Sequence, residues 1–296
     1  MQIRKAERKK AKLRLGLAAP SGAGKTYSAL LLAFGLGGKI GLIDTEHGSG
    51  DLYAHLGDYD IIPIEAPYTV AKYLEAVKAF EAEGYNVVII DSLSHAWAGD
   101  GGLLDKQGKI ADRGVNSFAA WRTITPEHNQ LVDAMLQSPC HIIATMRAKQ
   151  DYVLETNDKG KQQPKKVGLA PVQREGMEYE FTVMLDVDMQ HIASTSKDRT
   201  SLFDGTYFKI TKETGEKLLA WLETGAEPTK VTLPEGVIAD HMTAIEAAGD
   251  LDALKKAYTA AYKAAAEVKD QAALTKFEKA KDTQKLVLDQ PEGMAA

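Results

Sequence analysis

Short, unbroken apolar runs alternate with longer stretches of helical spacing through the first part of the chain. Runs at 13–19, 39–44, 60–65, 86–91 and 140–146 are hydrophobic or β-branched almost throughout, the pattern of strands buried on both faces. Between them, 25–36 and 69–84 place apolar residues three and four apart and end on glycine, which predicts helices. The stretch 117–137 contains another helix, with Pro126 starting a second segment. A long glycine-bearing stretch fills 92–115, and 147–175 is polar. Period-two alternation returns in "EYEFTVMLDVDM" and "TYFKI". Strand–helix alternation of this kind predicts an α/β fold, a mostly parallel central sheet with helices on both faces.

The rhythm changes around 224–236, a proline- and glycine-bearing linker. Beyond it, 237–296 is rich in Ala and Lys and helical throughout. Asp250 is a candidate N-cap, and Leu251, Leu254, Tyr258 and Tyr262 form one apolar stripe, as in a small hairpin or bundle packing on itself. The expected organisation is a basic N-terminal segment (1–12), a core (13–223), the linker and the C-terminal helical region.

A formal net charge of −5 excludes a chain that is basic all over, so nucleic-acid contact must come from local patches. The single cysteine, Cys140, reads as a buried strand thiol and cannot form an internal disulfide. "MQIRKAERKKAKLRL" is charged where a signal peptide needs an apolar stretch, and no run approaches membrane-spanning length. A cytoplasmic protein with no membrane partner is expected.

"APSGAGKTYSAL" (19–30) carries the first chemistry. A phosphate loop is Gly, four residues, then Gly-Lys-Ser/Thr; here Ala19 stands at the first position, where a small residue suffices. Backbone N–H groups of Ser21, Gly22, Ala23, Gly24, Lys25, Thr26 and Tyr27, at a helix N-terminus, would wrap the phosphates of ATP. Lys25 supplies a charge to the β- and γ-phosphates, and Thr26 a hydroxyl to Mg²⁺. The core is therefore expected to be a P-loop NTPase. The second half of such a site is a strand-ending aspartate near the metal. Asp91, ending "VVIID", and Asp44, ending "GLID", compete for it, and the longer β-branched run favours Asp91. Glu46 lies just beyond a neighbouring strand end, where a carboxylate can activate the attacking water.

Residues 43–54 resemble a family. RecA recombinases carry Ile-Asp-Ala-Glu-His, five residues, then Tyr-Ala; this chain has Ile43-Asp44-Thr45-Glu46-His47, five residues, then Tyr53-Ala54. With Gly-x-Gly-Lys-Thr upstream and "VVIIDS" downstream, the likeness covers roughly 13–215. The short N-terminal segment and Ala/Lys-rich tail look most like small phage-encoded RecA-like proteins of the single-strand-annealing group, which implies a bacterial host cytoplasm. The resemblance implies Glu46 as water-activating base and Tyr53 as an adenine-stacking ring. RecA proteins end the next strand with Asn-Gln, a γ-phosphate sensor; Ala144-Thr145 stands here, and the threonine hydroxyl donates over a shorter reach. Lys197 and Arg199 match the spacing of a Lys-x-Lys pair that reaches the neighbouring subunit's γ-phosphate, which implies head-to-tail rings or filaments.

From Arg147 to Arg174 the chain carries seven Lys/Arg, namely Arg147, Lys149, Lys159, Lys161, Lys165, Lys166 and Arg174, against Asp151, Glu155 and Asp158. This is either a loop tracking phosphates or a solvated surface hairpin. Its position matches the family's DNA-binding loop. Trp97, at the other DNA-loop position, either stacks on a base or packs inside. The basic segment before residue 13 contacts a neighbouring subunit or phosphates, or is simply a solvated helix face. The leading expectation is a DNA-dependent ATPase on single-stranded DNA that promotes annealing or strand exchange. A single-strand-binding protein is a further candidate partner. An ATP-gated annealing oligomer with little hydrolysis, or a RecA-like motor or packaging ATPase, are the alternatives.

Overall fold

The unbroken apolar runs all become strands of one sheet, seen in a computed structural model that describes residues 5–156, 162–226, 232–268 and 270–288. In chain order the strands are β1 (Arg14–Ala19), β2 (Ile40–Asp44), β3 (Asp60–Pro63), β4 (Val87–Asp91), β5 (His141–Thr156), β6 (Gln162–Pro171), β7 (Val183–Val187) and β8 (Ala193–Asp198). Their spatial order is β3-β2-β4-β5-β1-β7-β8, with β6 paired to β5. All neighbours are parallel except the β5–β6 and β7–β8 pairs. The sheet is mostly parallel, as the pattern predicts.

Two-sided burial explains the runs. Ile89 joins one core cluster and its neighbour Ile90 the other, because successive side chains leave opposite faces. Both are 0% exposed, and burying such a side chain contributes about 1.5–3 kcal/mol. One face is covered by α1 (Lys25–Leu36) and, late in the chain, α6 (Lys212–Leu222). The other is covered by α2 (Val70–Ala82), α3 (Leu93–Ala98), α4 (Leu103–Ala111) and α5 (Ser117–Gln137). The α1–α6 contact is backbone against backbone. A Cβ on Gly35 would lie 2.1 Å from the Lys212 carbonyl oxygen, and one on Gly215 2.3 Å from that of Leu32.

The fold departs from the sequence pattern in four places. Pro126 lies inside α5, one helix rather than two, although proline supplies no N–H to the ladder. Buried Ile124, His128 and Leu131 on both sides of it hold the halves to one core. The polar 147–175 stretch is largely a β-hairpin paired from Ala148↔Pro171 to Thr156↔Gln162. Its basic and polar composition gave no hydrophobic rhythm to read. "EYEF" begins in a short 3-10 turn, Met177–Glu180, and "TYFKI" contributes only a bridge from Phe208 to Ala193. Finally, the described part of the N-terminal segment is no helix. Arg8 donates to the carbonyls of Trp221 (2.8 Å) and Thr224 (3.1 Å) and lies 4.1 Å over the Trp221 ring, while Lys10 pairs with Glu223 at 2.9 Å.

The chain divides into two units, Met1–Ala226 and Glu227–Ala296. The second holds α7 (Glu235–Glu246), α8 (Leu251–Glu267) and α9 (Gln271–Leu288) around Ile245, Leu254, Ala261, Ala265 and Phe277. Asp250 caps α8, accepting from the Ala253 N–H at 2.7 Å. The expected stripe is corrected. Leu251 and Tyr262 are half exposed, and the seam runs through Leu254, Ala261 and Ala265, the two alanines leaving room for a close helix approach.

Candidate nucleotide site

The carboxyl edge of the sheet gathers the candidate residues. β1 ends at Ala19, and the chain turns through Gly22 and Gly24, both with positive φ (81° and 84°), into α1. Only glycine adopts this conformation freely, so the turn can bend tightly and aim its N–H groups at one point. Gly24 sits at the N-cap with no side-chain cap, leaving the first amides of α1 open to a phosphate. His191, on the β7–β8 turn, contacts the Ala23 carbonyl through Nδ1 at 3.1 Å and braces the loop from below. Lys25 folds back on the loop, donating to the Pro20 carbonyl at 3.2 Å. Burial lowers its pKa against the pull of Asp91 and Glu46.

Between the two candidate aspartates the geometry discriminates. Asp44 serves its own loop, its Oδ1 accepting from the Glu46 N–H at 2.6 Å and its Oδ2 from the Gly50 N–H at 3.1 Å. Asp91 instead faces the phosphate loop, its Oδ2 accepting from the Thr26 hydroxyl at 2.5 Å. Its Oδ1 accepts from Thr145 Oγ1, also at 2.5 Å. Burial pushes the Asp91 carboxyl up, against the hydrogen bonds of both threonines. A hydroxyl and a buried carboxylate, hard oxygen donors side by side, fit Mg²⁺, which takes few protein ligands and completes its shell with phosphates and water. Bound there, the ion would neutralise phosphate charge.

Thr145 requires a correction as a γ-phosphate sensor. It is 0% exposed and its hydroxyl is donated to Asp91. It therefore fixes the aspartate and lies behind it.

Glu46 follows β2, and the chain reverses directly after it through His47 and Gly48, with φ of 56° and 81°. Its Oε1 accepts from Ser92 Oγ at 3.1 Å and from Arg147 Nε at 3.0 Å; its Oε2 accepts from Arg147 Nη2 at 2.6 Å. Burial pushes the Glu46 carboxyl up, but the Arg147 guanidinium outweighs this and holds it below its ordinary value. The floor beneath is a hydrogen-bonded network. Thr45 Oγ1 contacts His95 Nδ1 at 2.7 Å and accepts from the Ser92 N–H at 2.8 Å, and His95 stacks on Tyr68. At the start of α1, Tyr27 and Tyr53 meet edge to face with ring centroids 5.9 Å apart, a wall suited to a flat base.

Arg147 was expected to face nucleic acid. It is engaged with Glu46 instead, a role the sequence could not signal across a separation of 101 residues. Trp97 is likewise corrected: it is buried, stacked on Trp121 and edge-on to His128, so it cannot receive a base. The exposed ring of this region is Phe118, at 79%. Lys149 is exposed on β5, and half-buried Arg174 donates to Thr125 Oγ1 at 3.3 Å. Lys165 and Lys166 lie on β6, paired with Val153 and Tyr152. Lys159 and Lys161 lie outside the described residues.

Lys197 and Arg199 sit at the other end of the sheet. Asp198 is level with Val183, which is level with Leu15 near the start of β1, whereas the phosphate loop leaves the end of β1. Lys197 donates to the carbonyls of Glu178 and Tyr179, and Arg199 to that of Tyr179 at 3.3 Å. The four residue steps from Leu15 to Ala19 span about 13 Å. Neither cation reaches the site of its own chain.

A phosphate loop, a threonine–aspartate pair and a strand-end glutamate at the carboxyl edge of a parallel sheet define a P-loop NTPase. A family model for the AAA domain matches residues 11–216, and the chain belongs to that family. No curated protein matches the sequence. The chain is thus a nucleotide-binding P-loop ATPase. No helix among the described residues is long and apolar enough to cross a membrane.

Proposed function

We propose that the chain is an ATP-dependent single-stranded-DNA-binding protein that promotes homologous recombination by annealing or strand exchange. The observation that carries this reading is the course of β5. It runs from the middle of the sheet, past the nucleotide site at Arg147, and on without a break into the hairpin with β6. A basic strand continuous with an ATPase site gives DNA and nucleotide one shared element.

In this reading the loop amides and Lys25 hold the phosphates, and Tyr27 and Tyr53 flank the base. Glu46 takes a proton from the water that attacks the γ-phosphate, so that ATP and water give ADP and phosphate. Lys149, Lys165, Lys166 and Arg174 contact the DNA backbone, and Phe118 takes the stacking role expected of Trp97. Phe118 lies one helical turn before Trp121, over which the Arg174 guanidinium sits at 5.9 Å, so ring and hairpin root share a neighbourhood. Lys197 and Arg199, far from their own site, serve the next subunit of a head-to-tail assembly, with Arg199 offering a planar fork to phosphate oxygens.

Steady-state ATPase assays with and without single-stranded DNA test the reading, and stimulation is expected. Replacing Lys149, Lys165 and Lys166 with alanine should reduce the logarithmic salt slope of DNA binding by about 2, since each lost phosphate contact removes roughly 0.7. An unchanged slope would make the hairpin a solvated surface feature.

A further inference from the structure

The phosphate loop is gripped from outside by the turn between β7 and β8. Because β7 runs parallel to β1, with Asp186 level with Ala18, the chain leaving β7 emerges beside the chain leaving β1. The turn is closed on itself. Asp188 Oδ1 accepts from the N–H groups of Gln190 and Ile192, both at 2.9 Å, and the Asp188 carbonyl accepts from the His191 N–H at 3.0 Å. His191 holds a positive φ of 63° there. A Cβ on Gly24 would lie 3.4 Å from His191 Nδ1, and one on Gly22 would lie 3.7 Å from Met189 Cε. Ring and thioether therefore flank the two glycines of the loop. Both side chains are exposed, so neither fills the core.

The contact has a direction. A carbonyl oxygen can only accept, so the 3.1 Å contact between His191 Nδ1 and the Ala23 carbonyl puts the ring proton on Nδ1. In a trans peptide the C=O and the following N–H point opposite ways across one rigid plane. Drawing the Ala23 carbonyl outward therefore turns the Gly24 N–H inward, to the place where the loop wraps phosphate. That N–H has no backbone acceptor among the described residues, which leaves it available to a ligand. The glycine that lets the loop bend also leaves this peptide plane free to turn over, since φ of Gly24 is not restrained by a side chain. Turned over, it would present a carbonyl oxygen to an anion.

We propose that His191 is a positioning residue for nucleotide binding: it pins the Ala23 carbonyl and so fixes the Gly24 N–H as a phosphate donor before any nucleotide arrives. It acts through the peptide and not on the phosphate itself. The nucleotide then meets a donor already aimed, and the cost of ordering the plane falls on folding instead of on binding. The Gly24 N–H serves the phosphates in the bound complex and in the transition state alike, so losing its orientation weakens binding and spares the rate of the bound complex. The proposal needs the nucleotide site alone and is independent of nucleic acid.

The test compares His191→Asn with His191→Gly in the full chain, each checked for folding by circular dichroism. Both residues accept the positive φ. Asparagine carries an amide N–H where the ring carries Nδ1, whereas glycine carries no donor. Competition against a fluorescent ATP analogue gives the affinities for ATP and for pyrophosphate, which has phosphates but neither base nor ribose. His191→Gly should weaken both about tenfold, the lower end of what a hydrogen bond to a charged group contributes. His191→Asn should stay close to the parent, and so should Met189→Ala, which keeps the donor. In steady state His191→Gly should raise KM for ATP by a similar factor and leave kcat within about twofold. Parental affinity in His191→Gly, an equal loss in His191→Asn or Met189→Ala, a loss confined to ATP, or a fall in kcat without a rise in KM would each overturn the proposal. Failure of the DNA-binding reading would show only in oligonucleotide assays, because no arm of this experiment contains nucleic acid.

Discussion

Two carboxylates stand at neighbouring strand ends of the same sheet, and their surroundings are opposite. Asp91 is almost fully buried and accepts from two threonine hydroxyls; burial pushes its pKa up. Glu46 is half buried and held in a bidentate fork by Arg147, which takes its pKa below the ordinary value. The first faces the phosphate loop, where Lys25 acts on it through space without outweighing its burial. The second already has its cation, which takes one site on each of its two oxygens. One carboxylate thus suits a metal ion, while the other is tuned by a side chain of its own chain.

The sharpest way to break this comparison is Glu46→Gln. Nucleotide binding should survive, because neither the loop nor Asp91 is touched, while turnover falls by about two orders of magnitude or more, the scale of losing a general base. Near-normal turnover would transfer the role elsewhere and leave the Arg147 fork as a purely structural pair.

Next in size is the assembly effect. Arg199→Ala should bind ATP and hydrolyse it poorly, since its own site lacks only a cation from the neighbour. Mixed with Glu46→Gln protein at equal amounts, roughly a quarter of head-to-tail interfaces would pair an intact Glu46 with an intact Arg199. Activity should recover accordingly. Mixtures shown to co-assemble but without recovery would remove Arg199 from the chemistry.

A smaller effect isolates Asp91. Its raised pKa means the folded chain holds this proton more tightly than the unfolded chain, so stability is lost as the pH rises through the folded value. At neutral pH, without magnesium, Asp91→Asn should therefore be more stable than the parent. An increase in Tm of about 2–4 °C corresponds to 1 kcal/mol in a unit of this size. Magnesium should narrow the gap by stabilising only the parent. A lower Tm for the variant in magnesium-free buffer would show that the carboxylate is well solvated in place.

What was legible in the sequence follows the same division. Asp91 could be read because its signal is local: four β-branched residues buried on both faces, then a carboxylate. The phosphate loop is likewise contiguous, and its glycines declare the backbone they need. The Glu46–Arg147 pair joins a residue just past β2 to one within β5, and these strands are not neighbours in the sheet, since β4 lies between them. Nothing in spacing or periodicity encodes it, so Arg147 was grouped with the lysines that follow it. Trp97 failed for a related reason. An aromatic in a glycine-bearing stretch looks exposed until α5 supplies Trp121 and His128 to cover it.

The smallest predicted effect bears directly on the fork. In the parent, burial pushes the Glu46 carboxyl up from its ordinary 4.5, and Arg147, with His95 and Ser92, brings it lower than that value. The rate should therefore stay level as the pH falls from neutrality, with its acid limb below the usual range for glutamate. In Arg147→Gln the guanidinium is gone while much of the burial stays. Lys25 and His95 remain nearby, but the side-chain hydrogen bonds seen on Glu46 come from Ser92 and Arg147, so neither stands in the fork's place. With the largest opposing influence removed, the Glu46 carboxyl then titrates higher, and the acid limb of the kcat profile should move to higher pH. The measurement is a kcat–pH series for parent and variant from neutrality down through and below the ordinary glutamate value, with circular dichroism recorded at each point to confirm that the chain is still folded. Coincident limbs would mean that the fork does not govern Glu46 during turnover. It would then belong to the resting protein alone, released before the water is attacked.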